Sequence, residues 1–402
     1  MKKKVLVSCA TVRDIGGISS SLLNLLNIIS GKYDVTLCVL TGNISPKVHI
    51  PDNITVIKPS KMFRWCFSDF EVLRQLSFFE KLVMLFWRVL RKAIGTKRMI
   101  PLVLSRVSLN DTFDTALAFC NDLYDNGRQV IGGDYYFVAN RVESHLKIAY
   151  IHNDVRQLGF TPELCGQMYE KFDFVANVSY ACKDIYDEMM PEHKVSKSVV
   201  LYNMYNIASI KEGADDYDAQ LDASKLNFVT VCRLVEQQKK VSRVLKTCKR
   251  LKDEGISNFK WTVVGYGPDE EYYLRLVKEY NISDVIEFTG LKKNPYPYMK
   301  SADVFVLPSL YEGLSMTMCE ALIVGTPVLA TCFKASEEVV TDGRNGMLCA
   351  NSSDGVYCAV KKIIENPELL KEWKRYVLNN PVTNDEALHQ FESICIKGIR
   401  VV

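Results

Sequence analysis

The chain has 402 residues, 48% hydrophobic and 24% charged, a globular composition that is long for one core, so two domains are expected. A net charge of only +3 argues against a dedicated nucleic-acid binder. Thirteen cysteines, with no Cys-x-x-Cys and no Cys/His cluster at zinc spacing, point to reduced thiols in a cytosolic chain rather than a disulfide or metal framework.

The N-terminus begins Met-Lys-Lys-Lys ahead of an apolar run, as a signal peptide does. That run is too short, and Arg13 and Asp14 follow at once, so Lys4 to Ser8 is read as a strand. A turn holding Gly16 and Gly17 leads to helical spacing in Leu22, Leu23, Leu26 and Ile29, and Val35 to Leu40 is the next strand. This βαβ unit is not a dinucleotide fingerprint. The three-glycine spacing is absent and no acid follows Leu40-Thr41-Gly42 to hold a ribose, which disfavours a nicotinamide oxidoreductase. Gly16 and Gly17 either let a backbone approach a ligand or form a tight turn.

Met62 to Ile100 departs from the alternation. It interleaves Trp65, Phe67, Phe70, Phe78, Phe79, Phe86 and Trp87 with basic residues, and from Lys61 to Arg106 ten Lys/Arg face three Asp/Glu, a local +7. Over Glu80 to Ile94 the spacing is helical, with Val83, Phe86, Trp87, Leu90 and Ile94 on one face and Lys81, Arg88 and Lys92 on the other. That pattern predicts a helix lying in an anionic membrane interface. The competing reading is an insertion packed on its own domain with its basic side solvated. No run approaches the ~18 apolar residues of a spanning helix.

Thr115 to Phe119 and Lys147 to Ile151 read as strands, the second ending in His152 at the rim where ligands of α/β folds bind. Asp173 to Val178 and Ser198 to Tyr202 close the first half. The polar, acidic stretch Lys211 to Lys225 reads as a linker. Its Asp216-Tyr217-Asp218 has the form of a metal-binding Asp-x-Asp, but it lacks a flanking strand and is read as a solvated charge run.

The alternation then restarts. Asn227 to Cys232 is a strand followed by Arg233, Lys239 and Lys240; Val241 to Glu254 is a helix stopped by Gly255. Phe259 to Val264 runs into Gly265-Tyr266-Gly267-Pro268, Asp269 to Tyr280 is helical, and Val285 to Phe288 is a strand ending at Gly290. Asn294 to Lys300 is a short helix. Asp303 to Leu307 is a buried strand that breaks at Pro308, crosses a loop with Glu312 and Gly313, and re-forms as a helix from Ser315 with Gly325 as its left-handed cap. Pro367 to Asn380 and Glu386 to Ile399 are further helices.

If this second crevice binds a nucleoside diphosphate, each part has a task. The helix at Ser315 offers free N–H groups at Met316, Thr317 and Met318 and a dipole that favours an anion. Arg233 and Lys239 supply charge to phosphate oxygens. Glu320 among apolar neighbours needs donors, which ribose hydroxyls provide. An Arg233–Glu320 salt bridge explains those two residues equally well.

Taken together, Val231-Cys232-Arg233-Leu234-Val235-Glu236 with Lys239, Val264 to Pro268, Phe288-Thr289-Gly290, the Glu312/Glu320 pair after Pro308-Ser309-Leu310-Tyr311, and Gly325-Thr326-Pro327-Val328 resemble the donor domain of retaining glycosyltransferases of family 4. The resemblance covers Asn227 to Leu348 and extends more weakly to Gly16, Gly17, His152 and Asn203. It departs at Cys232, where the family usually has glycine, and the Lys239-Lys240 doublet leaves open which lysine acts.

The resemblance implies an α/β GT-B fold, two Rossmann-like domains facing each other across a deep cleft. Residues 1–205 would be the acceptor-side domain with its insertion at about 61–106, and 206–226 the linker. Residues 227–381 would be the nucleotide-sugar domain, and 382–402 a C-terminal helix returning to the first. It implies a nucleotide-sugar donor, UDP-sugar favoured, a lipid-linked or polysaccharide acceptor, no metal and no separate cofactor. Arg233 and Lys239 would neutralise the leaving diphosphate, Glu320 would hold the ribose and backbone near Leu291 the base. Glu312 with Gly313, Leu314 and Ser315 would hold the sugar. Met316 and Thr317 at the helix start, and Gly265 and Gly267, would line the donor. His152 would reach the sugar from the other domain, and Gly16-Gly17 would close on the phosphates. The expected setting is cytoplasmic, peripheral at the inner face of the membrane. Competing readings are an epimerase or phosphorylase on the same fold, or a silent membrane-associated partner subunit.

Overall fold

The computed structural model describes residues 2–68, 76–125, 128–191 and 197–400. Phe70 of the aromatic insertion lies outside them, as do the last two residues of the C-terminal segment. The chain divides into two compact units: residues 1–205 with 384–402, and residues 206–383.

The first unit holds a seven-stranded, wholly parallel sheet. Its strands in chain order are β1 (Lys4–Cys9), β2 (Asp34–Val39), β3 (Thr55–Ile57), β4 (Thr112–Ala118), then, past a two-stranded antiparallel ribbon β5 (Leu123–Asp125) and β6 (Arg128–Ile131), β7 (Glu143–Ile151), β8 (Phe174–Asn177) and β9 (Ser198–Val200). The spatial order is β3-β2-β1-β4-β7-β8-β9. Val5, Leu6, Val7, Leu37, Leu117, Ile148 and Val175 are fully buried, because helices cover both faces and leave no side for polar alternation.

The second unit repeats the plan with six parallel strands: β10 (Leu226–Val231), β11 (Phe259–Val264), β12 (Ile286–Gly290), β13 (Val304–Leu307), β14 (Val328–Thr331) and β15 (Gly346–Cys349). Their order is β12-β11-β10-β13-β14-β15. Phe228 stacks on Trp261 at 5.0 Å in the core, with Phe259, Tyr273 and Trp373 also buried. In both sheets the order reverses beside the first strand, between β1 and β4 and between β10 and β13. The loops after those strands diverge there and open a crevice at their carboxyl ends.

The stretch read as a linker groups with the second unit. It opens with the helix Ile207–Gly213; Asp215 then pairs with Lys300, and the Tyr217 hydroxyl donates to the Asn294 carbonyl at 2.5 Å. Asp216 accepts from Asn294 Nδ2 at 2.7 Å, so the Asp-Tyr-Asp run is tied to protein groups. The C-terminal helix Asp385–Phe391, continued by a π-turn at Glu392–Ile396, belongs to the first unit: Gln390, 2% exposed, accepts from Tyr202 N at 2.8 Å.

Among its described residues the insertion forms the helices Lys61–Phe67, Phe78–Ile94 and Thr96–Leu104. The long one is fixed at its start by a Ser77/Glu80 capping box and stopped by Gly95 at φ 91°. The face expected to be uniformly apolar and outward is divided. Trp87, Leu90 and Ile94 pack on the core of the unit and Met84 is buried, whereas Phe86 is exposed. Among the described residues no helix is long and apolar enough to cross a membrane.

Candidate functional site

The β10/β13 switch point of the second unit gathers most of the charged candidates. β10 ends at Val231, and the next two residues turn Cys232 inward and Arg233 out to solvent. The short helix Glu236–Lys239 follows. Lys240 then takes a left-handed conformation, φ 51° and ψ 39°, which closes that turn and sends its side chain toward Glu236 at 3.9 Å. The lysine doublet is thereby separated. Lys239, not Lys240, reaches Glu312.

Glu312 is held from three sides. Its Oε1 accepts from Lys239 Nζ at 2.5 Å and Ser309 Oγ at 2.6 Å, and its Oε2 from Gln238 Nε2 at 3.2 Å. Burial pulls the Lys239 ammonium down, but the charge and hydrogen bond of Glu312 outweigh it and hold the group above its ordinary value. Gln238 also accepts the N–H of Leu310 on its carbonyl at 2.7 Å, which fixes the loop after β13 to the loop after β10. Beneath that loop Arg243, 7% exposed, donates to the carbonyls of Pro308 at 2.9 Å and Ser309 at 3.4 Å and to Asn351 Oδ1 at 2.7 Å. The sequence named neither Gln238 nor Arg243. Arg243 was recognisable only as a basic residue at the start of an amphipathic helix, and Gln238 only by its place beside Lys239.

The helix Met316–Ile323 starts at Ser315 with no side-chain cap; the Ser315 hydroxyl meets that of Thr317 at 3.2 Å instead. Its first-turn N–H groups thus lack a side-chain acceptor from the cap, as an anion site requires. Gly313, Ser315 and Met316 are buried, while Leu314 and Thr317 are partly exposed. Glu320, 7% exposed, is pushed up to about 7 by burial, which its 3.4 Å bond from the Tyr296 hydroxyl only partly offsets. The Arg233–Glu320 bridge that the sequence allowed is not formed; Glu320 turns to Tyr296. Leu291, at the end of β12, is 48% exposed.

Gly265 and Gly267 have a packing role as well as the expected place beside the donor. A Cβ on Gly265 would lie 1.9 Å from the Cys232 carbonyl oxygen, and one on Gly267 would lie 2.2 Å from that of Leu234. They let the loop after β11 press against the loop that carries Arg233, so they shape the site from beneath. Cys232, pushed up to about 12 by burial, is an inert thiol and no nucleophile.

The β1/β4 switch point of the first unit holds the remaining candidates. Gly16 (φ 121°) and Gly17 open the helix Gly17–Ile29, both exposed, and a Cβ on either meets nothing within 4 Å. His152 follows β7. Its N–H donates to Asn121 Oδ1 at 3.0 Å, and its ring lies 4.7 Å from Phe119 and 4.2 Å from Tyr150. Its Nε2 is 2.9 Å from the Phe119 carbonyl, which can only accept, so Nε2 carries the proton and Nδ1 is the ring's acceptor. Burial lowers its pKa to about 4 and keeps it neutral. Two buried carboxylates here had no sequence signal. Asp134 accepts from Ser8 Oγ at 2.5 Å and is pushed by burial to about 7. Asp122, raised by burial, accepts from Gly133 N at 3.0 Å and Gln129 Nε2 at 2.7 Å.

Residues 215–379 match the family model described as glycosyl transferases group 1. That match falls within the second unit. A likeness of fold extends over the whole chain. The chain aligns with Anabaena HepE in complex with UDP and glucose at a TM-score of 0.64 and 15% identity, over 94% of each chain. It aligns with sucrose-phosphate synthase from Thermosynechococcus elongatus at 0.65 and 14%, over 97% of this chain and 98% of that one. The architecture is GT-B. Among curated proteins, the putative colanic acid biosynthesis glycosyltransferase WcaL of Salmonella typhimurium is 34% identical over 131 residues, 31% of this chain and 32% of its own length. A Campylobacter jejuni N-acetylgalactosaminyltransferase, whose name gives a diphospho-undecaprenol-linked acceptor, is 24% identical over 231 residues, 56% of this chain and 60% of its own. The chain thus spans about a third of the length of the first of these relatives and under two thirds of the second.

Proposed function

We propose that the chain is a glycosyltransferase that moves a sugar from a nucleoside-diphosphate donor, UDP-sugar favoured, to a lipid-linked or polysaccharide acceptor in surface-glycan synthesis. The observation that carries this reading is the convergence of Arg233, the Lys239–Glu312 pair and the uncapped helix after Ser315 on one switch point of a glycosyl transferases group 1 domain. The UDP bound to HepE supports the uridine donor, and the acceptor named for the Campylobacter relative supports a lipid carrier.

The chemistry follows from where charge develops. As the glycosidic bond breaks, negative charge gathers on the departing diphosphate. Arg233 takes its oxygens in a bidentate grip, Lys239 adds a second cation, and the N–H groups of Met316 and Thr317 add aligned dipoles. Together they serve this task without a metal. Glu320 accepts from the ribose hydroxyls, the backbone near Leu291 borders the base, and Glu312 with Gly313 and Leu314 holds hydroxyls of the sugar. Glu312 accepts from Lys239, Ser309 and Gln238 as well, which counts against it as a nucleophile. The family that the chain resembles retains configuration, and without a carboxylate nucleophile retention would run by front-face displacement through an ion-pair-like transition state; trapping of a covalent glycosyl-enzyme would rule this out. The working place is the cytoplasmic side of a membrane, where such acceptors are anchored.

The test is a thermal-shift panel of nucleotide sugars followed by turnover of the best binder. A donor at 100 times its dissociation constant should stabilise the chain by about 2.7 kcal/mol. No shift with any nucleotide sugar contradicts the proposal.

A further inference from the structure

We propose that the outward face of the Phe78–Ile94 helix docks the first unit onto an anionic lipid surface. The helix is apolar on two sides. One side, with Met84, Trp87, Leu90 and Ile94, is spent on the core of the unit. The other carries Phe78, Phe79, Leu82, Leu85, Phe86 and Val89, which are 77, 73, 50, 59, 62 and 61% exposed. At the turn of an α-helix these six fall within an arc of about 120°, a continuous strip rather than scattered residues. A strip of that kind on a soluble unit marks a contact surface.

Charge decides what covers it. From Phe78 to Arg106 there are seven Lys/Arg against one acid, Glu80, and Glu80 is engaged by Ser77 in the capping box. Lys81 and Lys92 are exposed and flank the apolar strip on one side, and Lys97 and Arg98 are exposed on the following helix. A second copy docked about a two-fold axis would bring the same positive charge against itself. An anionic bilayer takes the apolar side chains into its acyl boundary while its headgroups neutralise the lysines. The Ser77/Glu80 box and the Gly95 stop hold the helix formed before it meets lipid, so docking does not have to fold it.

The inference rests on the reading of the acceptor as lipid-linked, which makes a membrane the surface to meet. Its test uses the full chain with vesicles of phosphatidylcholine alone and with added phosphatidylglycerol, read by co-sedimentation, and with UDP binding measured in parallel by thermal shift. The wild type should sediment with the anionic vesicles only. Phe79→Ser with Phe86→Ser, and separately Lys81→Glu with Lys92→Glu, should each lower the bound fraction at least about tenfold while the UDP shift is unchanged. A wild type that stays in the supernatant, or variants that bind as well as the wild type, overturns the docking. So does a wild-type dimer that the serine variant converts to a monomer, since the strip would then belong to a second copy. UDP binding without vesicle binding sinks the docking alone and leaves the transferase reading standing. Vesicle binding without UDP binding supports the docking and counts against the transferase reading.

Discussion

The two sheets share a strand order and a switch point, yet their rims are chemically opposite. At β10/β13 two cations stand at the rim, Arg233 exposed and Lys239 paired with Glu312, while burial raises Glu320 behind them. At β1/β4 burial has suppressed charge: His152 is neutral, and Asp122 and Asp134 are raised. Topology therefore supplies a crevice and leaves its use to the loops.

Glycines offer the strongest way to break this contrast. Gly265→Ala places a Cβ 1.9 Å from a backbone oxygen, so the loops under Arg233 must part. Urea denaturation should show a loss of at least about 3 kcal/mol. Gly17→Ala meets open space and should cost under about 1 kcal/mol. Equal losses would mean that the two rims are built alike.

Next come the charged residues of the second rim. Arg233→Ala, Lys239→Ala and Glu312→Ala should each lower donor turnover at least about tenfold. Lys239→Ala should also destabilise the unit, by roughly 3 kcal/mol, because Glu312 loses its cation while remaining enclosed. Full turnover in all three variants removes the donor from this rim.

A pH series separates the rims more finely. Asp134 and Glu320 are both raised to about 7, so the stability tied to their neutral forms is complete below the ordinary carboxylate range and lost as pH rises through about 7. Each should contribute a decline of at most about 1.4 kcal/mol per pH unit, and Asp134→Asn should remove its share. Donor affinity should move the other way, because ionised Glu320 is the better acceptor for ribose hydroxyls. Affinity measured by calorimetry should rise from about pH 6 to about pH 8 in the wild type and stay flat in Glu320→Gln. The smallest effect is expected from Tyr296→Phe, which removes one long hydrogen bond to Glu320 and should weaken the donor by about 1 kcal/mol or less.

Much of this was legible in the sequence, for identifiable reasons. Continuous apolar runs such as Phe259 to Val264 are strands because both faces are covered, and Gly255 and Gly325 end their helices at φ 80° and 92° as their positions foretold. Arg233, Lys239 and Glu312 were recognisable because their loops follow strands directly. Other features depend on contacts between distant segments. Arg243 and Gln238 act through carbonyls and a carboxylate about 65 to 75 positions away, and nothing local marks them. Nothing local marks Asp134 either, because its partner Ser8 lies 126 residues earlier. The packing of Gly265 and Gly267 against the loop after β10 was equally hidden, since the neighbouring carbonyls of Cys232 and Leu234 lie about 33 positions away. The Phe78–Ile94 helix was divided wrongly because periodicity finds one apolar face and this helix has two.

The central claim is that a nucleoside diphosphate sits at the β10/β13 switch point. A crystal structure of the chain with UDP tests it most directly. The diphosphate should lie over the N-terminus of the Met316–Ile323 helix, within hydrogen-bond reach of Arg233 and Lys239, with the ribose on Glu320. UDP bound elsewhere, with the Lys239–Glu312 pair and Glu320 untouched by ligand, would contradict it.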